Sequence, residues 1–242
     1  AENIDTWDPG FTVGSKSSQT TIQNTFDQLT QYTIVDATAP DGTAYKTVDT
    51  TKIIGMIASD IATDGGNMTF TLGNNAVYHN GDPVDAHAMK VGYDRIMVSG
   101  AISSVLLGMG GAITGPENFI ENEDGTFTIS MAVPNVLIPQ NNVMHNTAVL
   151  DPKQMEEVAT ESDPWALEYF RANLGVGNGA YKLDSYKPDD AIVLVAADNY
   201  YGEAPFFKKV IMKIVSDATQ RVQLLKNNDI VLVFLIPFSE YQ

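Results

Sequence analysis

"NMTFTLGNNAVYHNGDPVDAHAMKVGYDRIM", residues 67–97, changes periodicity halfway along. Thr69 to Leu72 and Ala76 to Tyr78 have the β-branched and aromatic content of two short strands, joined by Gly-Asn-Asn. His79-Asn80-Gly81-Asp82 reads as a turn, because Asn-Gly readily supplies a positive φ. Asp85 then fits the N-cap of a helix from about Ala86 to Met97. Met89, Tyr93, Ile96 and Met97 would form its buried stripe. Strand, turn and capped helix in 31 residues point to an α/β chain.

The flanking segments extend this reading. At the N-terminal side an extended "IDTWDP" is followed by the polar loop "TVGSKSS" and by "QTTIQNTFDQLTQY". In the latter, Ile22, Phe26 and Leu29 recur at helical spacing. Residues 36–52 are polar and turn-rich and read as a surface connection. Beyond the central stretch, a strand is expected at Thr126 to Val133 after the turn "NEDG". Asp151-Pro152 and Asp163-Pro164 look like two starts of helices, with proline at the first helical position. "GNGAYKLDSYKPDDAIVLVAADNYYG" reads as a hairpin of Tyr181 to Tyr186 with Ala191 to Ala197. "KKVIMKIV", a helix capped by Asp217 and "DIVLVFLI" follow as strand, helix and buried strand. That order predicts a βαβ unit with parallel strands.

Composition excludes several function classes. With 44% hydrophobic and 18% charged residues, the chain of 242 residues is an ordinary globular one. A formal charge of −16 argues against nucleic-acid binding, which selects clustered Lys and Arg. The acidic residues are spread out, which favours solubility. Cysteine is absent, which removes disulfides and thiolate chemistry and fits an exported bacterial protein. No run reaches the roughly 18–20 apolar residues that cross a bilayer. The opening "AENIDTWDPG" lacks the features of a signal peptide, so any such segment is expected to have been removed.

Catalytic signatures are weak. "GVGNG" precedes a strand instead of opening a helix, so it does not read as a phosphate cradle. His79, His87 and His145 lack metal-ligand spacing, and no metal or cofactor is expected. There is no G-x-S-x-G elbow, and a hydrolase built on acidic residues is unmotivated. Trp7, Trp165, Tyr200, Tyr201, Phe206 and Phe207 could stack on a ligand, but packing is the expected role of each. The chain therefore reads as a non-enzyme.

Three motif blocks, taken in order, resemble the extracellular solute-binding proteins of ABC importers, family 5, the peptide/nickel group. "IDTWDP…IQNTFDQL" is similar to that family's opening, in which a "DP" leads into a helix carrying "…fdgL". "FTLGNNAVYHNGDPVDAHAMKVGYDRI" is similar to the signature F-T-L-R-x-G-V-x-F-H-x-G-x-P-[LV]-T-A-x-D-V-x-x-[SG]-x-x-R. "GNGAYKLDSYKPDDAIVLVAADNYYGEAPFFKKVIMKIVSDATQRVQLLKNNDI" looks like G-T-G-P-Y…N-x-x-Y-W-x-G…R…A-L-x-x-G-E-x-D. Departures occur at Gly73, at Ala88, at Asn178 and Ala180, and at Asn228 to Val231. The Ala88 departure removes a capping-box acid worth about 1 kcal/mol at most.

The resemblance implies a periplasmic-binding-protein-like lobe I (type II, cluster C), α/β with a mixed sheet and an inserted small α/β subdomain. Residues 1–45 and 178–242 would form the discontinuous core, and 46–177 the insertion. Family members are much longer, so the second lobe is expected to be absent and the chain truncated or cleaved. The resemblance further implies capture of oligopeptides or dipeptides outside the membrane and delivery to a permease. Oligosaccharides and nickel chelates are the other solute classes, and a non-transport surface protein on the same scaffold is the alternative. The location would be periplasmic or extracellular, with a lipid anchor to the outer face of the cytoplasmic membrane as an option. The acidic group that holds a peptide's amino terminus in relatives belongs to the second lobe, so no residue here inherits it. Gly14, Ser15, Lys16 and Ser17 are the candidate ligand loop, with Asn178 as a further hydrogen-bonding group and Phe238 as an apolar wall.

Overall fold

The computed structural model describes residues 2–73 and 75–234. Helix α1 spans Lys16–Thr25 and is capped by the Ser15 hydroxyl, which accepts from the Ser18 amide. It stops well before Leu29, short of the helix that Ile22, Phe26 and Leu29 predicted. Thr21 and Thr25 bond back to the carbonyls four residues earlier, which weakens a helix. In addition, the Thr25 carbonyl accepts from the Gly179 amide at 2.9 Å, where a continuing helix would have used the amide of Leu29. Phe26 is extended as a result. All three apolar residues are buried nonetheless, Leu29 in a different cluster from Ile22 and Phe26.

Strands β1 (Thr30–Thr38) and β2 (Ala44–Gly55) form a long antiparallel hairpin where a polar connection was expected. The run is rich in threonine, with isoleucine and valine between, residues that suit a pleated strand even when exposed. Gly42, at φ +88, closes the turn. Strands β3 (Ala58–Asp64) and β4 (Asn67–Leu72) pair next, and residues 76–78 make only an isolated bridge, Val77 to Pro83. Helix α2 (Ala86–Val98) begins at Asp85 as anticipated, its carboxylate accepting from the Ala88 amide. Met89, Tyr93 and Ile96 point into the main core.

Helix α3 (Ile102–Gly108) leads to β5 (Phe119–Glu121) and β6 (Phe127–Ser130), the latter shorter than expected, and to the single turn α4 (Leu137–Asn141). These strands complete a four-stranded sheet in the order β3-β4-β6-β5. Phe70, Phe119, Phe127 and Tyr93 meet between that sheet and α2, with ring centroids 5.1–6.4 Å apart. Helix α5 (Pro152–Val158) starts at Asp151-Pro152 as its sequence predicts. Helix α6 (Leu167–Ala172) starts later than Pro164 suggested. Ala166 adopts a left-handed conformation, and the Asp163 carboxylate accepts from the amides of Leu167 and Glu168.

Strands β7 (Tyr181–Lys187), β8 (Ala191–Ala196) and β9 (Lys209–Lys213) form a meander, followed by α7 (Ala218–Lys226). The Asp217 cap of α7 is in place, its carboxylate accepting from the Gln220 amide at 2.7 Å. The strand expected in "DIVLVFLI" does not form among the described residues. Val231 is 94% exposed, and Leu232 and Phe234 are exposed as well. Its first six residues run beside no strand, and an apolar run becomes a strand only where a partner offers its backbone. The parallel βαβ unit is therefore not formed among the described residues, where every strand pair is antiparallel. β2 runs through residues 45 and 46, so the hairpin crosses the subdomain boundary drawn from sequence.

Candidate functional site

Four loops converge where the three-stranded sheet meets the rest of the chain. They are residues 26–29 after α1, the turn at 78–82, the glycine-rich 177–179, and 197–201 after β8. His79 donates its amide to the Gly177 carbonyl at 2.7 Å, and its Nε2 lies 2.8 Å from the Gly179 carbonyl. Asn199 Nδ2 donates to the Tyr78 carbonyl. Asn178 is buried, and its Oδ1 accepts from the Asp27 amide at 3.1 Å, whereas its Nδ2 has no partner. Asp27 is buried too, and its Oδ2 accepts from the hydroxyls of Tyr200 (2.9 Å) and Tyr201 (2.7 Å). Burial raises the Asp27 pKa, partly opposed by the two phenols. Both phenols are pushed up in turn by burial and by the carboxylate beside them. The tyrosine pair thus packs as expected, but around a carboxylate that sequence reading did not single out.

The candidate ligand loop lies at the start of α1, against the N-terminal segment. Ser15 is buried. Its hydroxyl caps the helix and donates to the Asn3 carbonyl, and its amide donates to Asp5 Oδ2. The Lys16 amide donates to Glu2 Oε1, and its ammonium reaches Gln19 Oε1 at 2.9 Å. Ser17 Oγ accepts from the Glu2 amide at 2.8 Å. Gly14 is exposed, with Asp5 nearby. Most polar groups of the loop are therefore engaged within the chain, leaving the Gly14 backbone and the Lys16 side chain as its outward-facing parts. Asn178 sits elsewhere, at the junction described above, and Phe238 lies outside the described residues.

The charged pair Asp8 and Arg95 is the other feature that motif reading left without a role. Arg95 donates to Asp8 through NH1 (3.3 Å) and NH2 (2.5 Å), and through Nε to the Trp165 carbonyl. Both side chains are buried, and the guanidinium lies over Phe170. A charged residue placed between Gly92 and Ile96, on the buried side of α2, was the signal available in the sequence.

The histidines do not converge. His145 Nε2 lies 3.0 Å from the Thr12 carbonyl, and His87 pairs with Glu121 on the exposed side of α2. Among the described residues no group of three His, Cys, Asp or Glu could hold a metal ion. Burial lowers the pKa of both His79 and His145, against hydrogen bonds to carbonyls that raise it, and Lys182 and Lys16 lower it further. With a folded pKa below the usual 6.5, each histidine resists protonation when folded. Each contribution is complete above pH 6.5 and is lost as pH falls through that value toward the lowered one. Asp27 works in reverse. Its protonated form favours folding fully below 3.8, an advantage lost as pH rises through its raised pKa. The melting temperature is expected to fall between pH 7 and 5.5, and His79→Gln, which keeps a donor to Gly179, should flatten that slope. An unchanged slope in differential scanning calorimetry would remove His79 from the pH response.

An α/β lobe of sheets and helices whose loops converge on one polar junction is the class defined by this geometry. The chain belongs to the bacterial extracellular solute-binding proteins, family 5, whose family model (family 5 Middle) matches residues 52–242. It is 25% identical over 244 aligned positions to a probable D,D-dipeptide-binding periplasmic protein, DdpA, of Escherichia coli K12. That alignment covers 99% of this chain and 43% of the relative, so the chain spans less than half of its length. Among solved structures, the periplasmic binding protein AgaA of A. tumefaciens R10, in complex with agropinic acid, matches with a TM-score of 0.73 at 19% identity. That match covers 95% of this chain and 41% of the other. DppA of Helicobacter pylori, in complex with the peptide STSA, matches with a TM-score of 0.73 at 18% identity, covering 95% and 44%. These likenesses establish a shared fold.

Proposed function

We propose that the chain is one lobe of the substrate-binding component of an ABC importer, which captures dipeptides or oligopeptides outside the membrane and delivers them to a permease. The observation that carries this reading is the family membership over residues 52–242, joined to a full-chain alignment with a D,D-dipeptide-binding relative. An opposing lobe beyond these residues would close over the solute by hinge motion. Within the chain, 1–45 with 178–242 would act as the lobe core and 46–177 as its insertion, the two joined through strand β2. The Gly14 backbone and the Lys16 side chain would meet ligand, with Ser15 and Ser17 holding that loop, Asn178 as a further hydrogen-bonding group at the junction and Phe238 as an apolar wall. The location would be periplasmic or extracellular, with a lipid anchor as one means of retention. Oligosaccharides are the second solute class, and agropinic acid, held by the AgaA neighbour, is a third candidate.

Calorimetric titration with di- and tripeptides, agropinic acid and maltotriose tests the reading on the 242-residue chain and on the complete product of its gene. The complete product should bind a peptide, and the short chain should bind it at least about 100-fold more weakly, the loss of roughly 2.8 kcal/mol of contacts from one jaw. Equal affinity of the two forms would overturn the two-lobe reading. Binding confined to agropinic acid or maltotriose would overturn the peptide assignment.

A further inference from the structure

Tyr200 and Tyr201 have their hydroxyls turned inward to Asp27, yet both are only half-buried. Their outer surfaces, with Gln31, Gly55, Met56 and Glu203, line an open hollow of about 410 Å³. It lies at the root of the β1–β2 hairpin, where Gln31 pairs with Ile54 and the chain leaves β2 through Gly55 and Met56. That volume is within the range of small-ligand sites, about 300–1,000 Å³.

The chemistry of the lining is one-sided. The two rings stand 5.0 Å apart at 56°, a tilted pair whose half-exposed sides contribute to the lining. Each phenol donates to the same carboxylate oxygen. A phenol that donates to an anion gains electron density, which strengthens the attraction of its ring for a cation. Exposed Glu203 adds a full negative charge at the rim, and Met56 adds a polarisable thioether. None of the lining residues is basic. An anion would meet Glu203 and the field of a chain with a formal charge of −16.

We propose that this hollow binds a small organic cation, an alkylammonium group resting against the exposed surfaces of the two tyrosine rings beside the Glu203 carboxylate. The site uses none of the residues proposed to meet the imported solute, so it stands or falls separately from that reading.

The test is a methyl-NMR titration of the 242-residue protein, labelled with ¹³C-methyl methionine, with the Met56 signal assigned through Met56→Leu. Tetramethylammonium chloride is the probe, sodium chloride at equal ionic strength is the blank, and tert-butanol is the neutral isostere. A saturable shift at Met56 is expected with tetramethylammonium and not with tert-butanol. Glu203→Gln should raise the dissociation constant at least about threefold, and Tyr200→Leu by a similar factor, in keeping with cation–π and surface-charge energies. The other methionine methyls report whether each variant keeps its fold. Absence of a saturable Met56 shift, an equal shift from tert-butanol, or unchanged affinity in Glu203→Gln would each overturn the proposal.

Discussion

Arg95→Met is expected to destabilise the fold by about 3–5 kcal/mol, most of it the cost of leaving the Asp8 carboxylate buried without its partner. Methionine approximates the arginine stem in volume, so little of the loss should come from a cavity. The carboxylate of Asp8 is inaccessible to solvent and keeps only the Gly10 amide, at 3.0 Å, once the guanidinium is gone. The same substitution also deprives the Trp165 carbonyl of its Nε donor and Phe170 of the cation above its ring. Those losses loosen three segments at once: the N-terminal strand-like run, α2 and the approach to α6. Adding Asp8→Asn should recover a large part of the deficit, since no charge then remains buried. Urea unfolding at pH 7 of the two single variants and the double variant measures this directly. A single Arg95→Met variant within about 1 kcal/mol of the parent would mean that water reaches Asp8 and that the pair is not the tie inferred here.

The pair also shows where sequence reading ends. The sequence predicts helix starts at Asp85, Asp151 and Asp217, and each aspartate caps its helix, because a cap depends on amides two or three residues away. The β7–β8 hairpin was equally visible, its two apolar runs lying either side of a Pro-Asp turn. Asp8 and Arg95 stand 87 positions apart, and nothing local marks them as partners. The same holds for Asp27, whose two phenols lie 173 and 174 positions away. Strand β1 was hidden for a different reason. Its threonines and aspartate carry no strong apolar alternation, because much of the hairpin faces solvent on both sides. Residues 229–234 failed in the opposite sense, since their apolar run promised a strand that needs an edge to pair with. For the candidate site, sequence placed the loop of Gly14 to Ser17 beside α1 but could not foresee that Glu2 and Asp5 would occupy its amides.

Gly177→Ala should cost about 3 kcal/mol or more, at the upper end of overpacking effects, although the residue lies in a loop. Its backbone is not in the left-handed region, so the requirement is for space and not for unusual dihedrals. A Cβ on Gly177 would stand 1.9 Å from the Thr25 carbonyl oxygen, well inside contact distance. That oxygen belongs to the last turn of α1 and already accepts from Gly179, so it cannot withdraw without breaking a buried hydrogen bond. Moving the loop instead would pull Gly177 from the His79 amide and Asn178 from the Asp27 amide. Gly175→Ala is the matched control. There the new methyl meets Leu150 Cδ2 at 2.6 Å and Phe170 Cε1 at 3.2 Å, side-chain atoms and not backbone, so a smaller loss of roughly 1–2 kcal/mol is expected. Chemical denaturation of both variants settles the comparison: a larger loss at Gly175 than at Gly177 would show that the 177–179 loop yields easily. The glycines of "GVGNG" would then be incidental to the close approach of this loop to α1, instead of the condition that allows it.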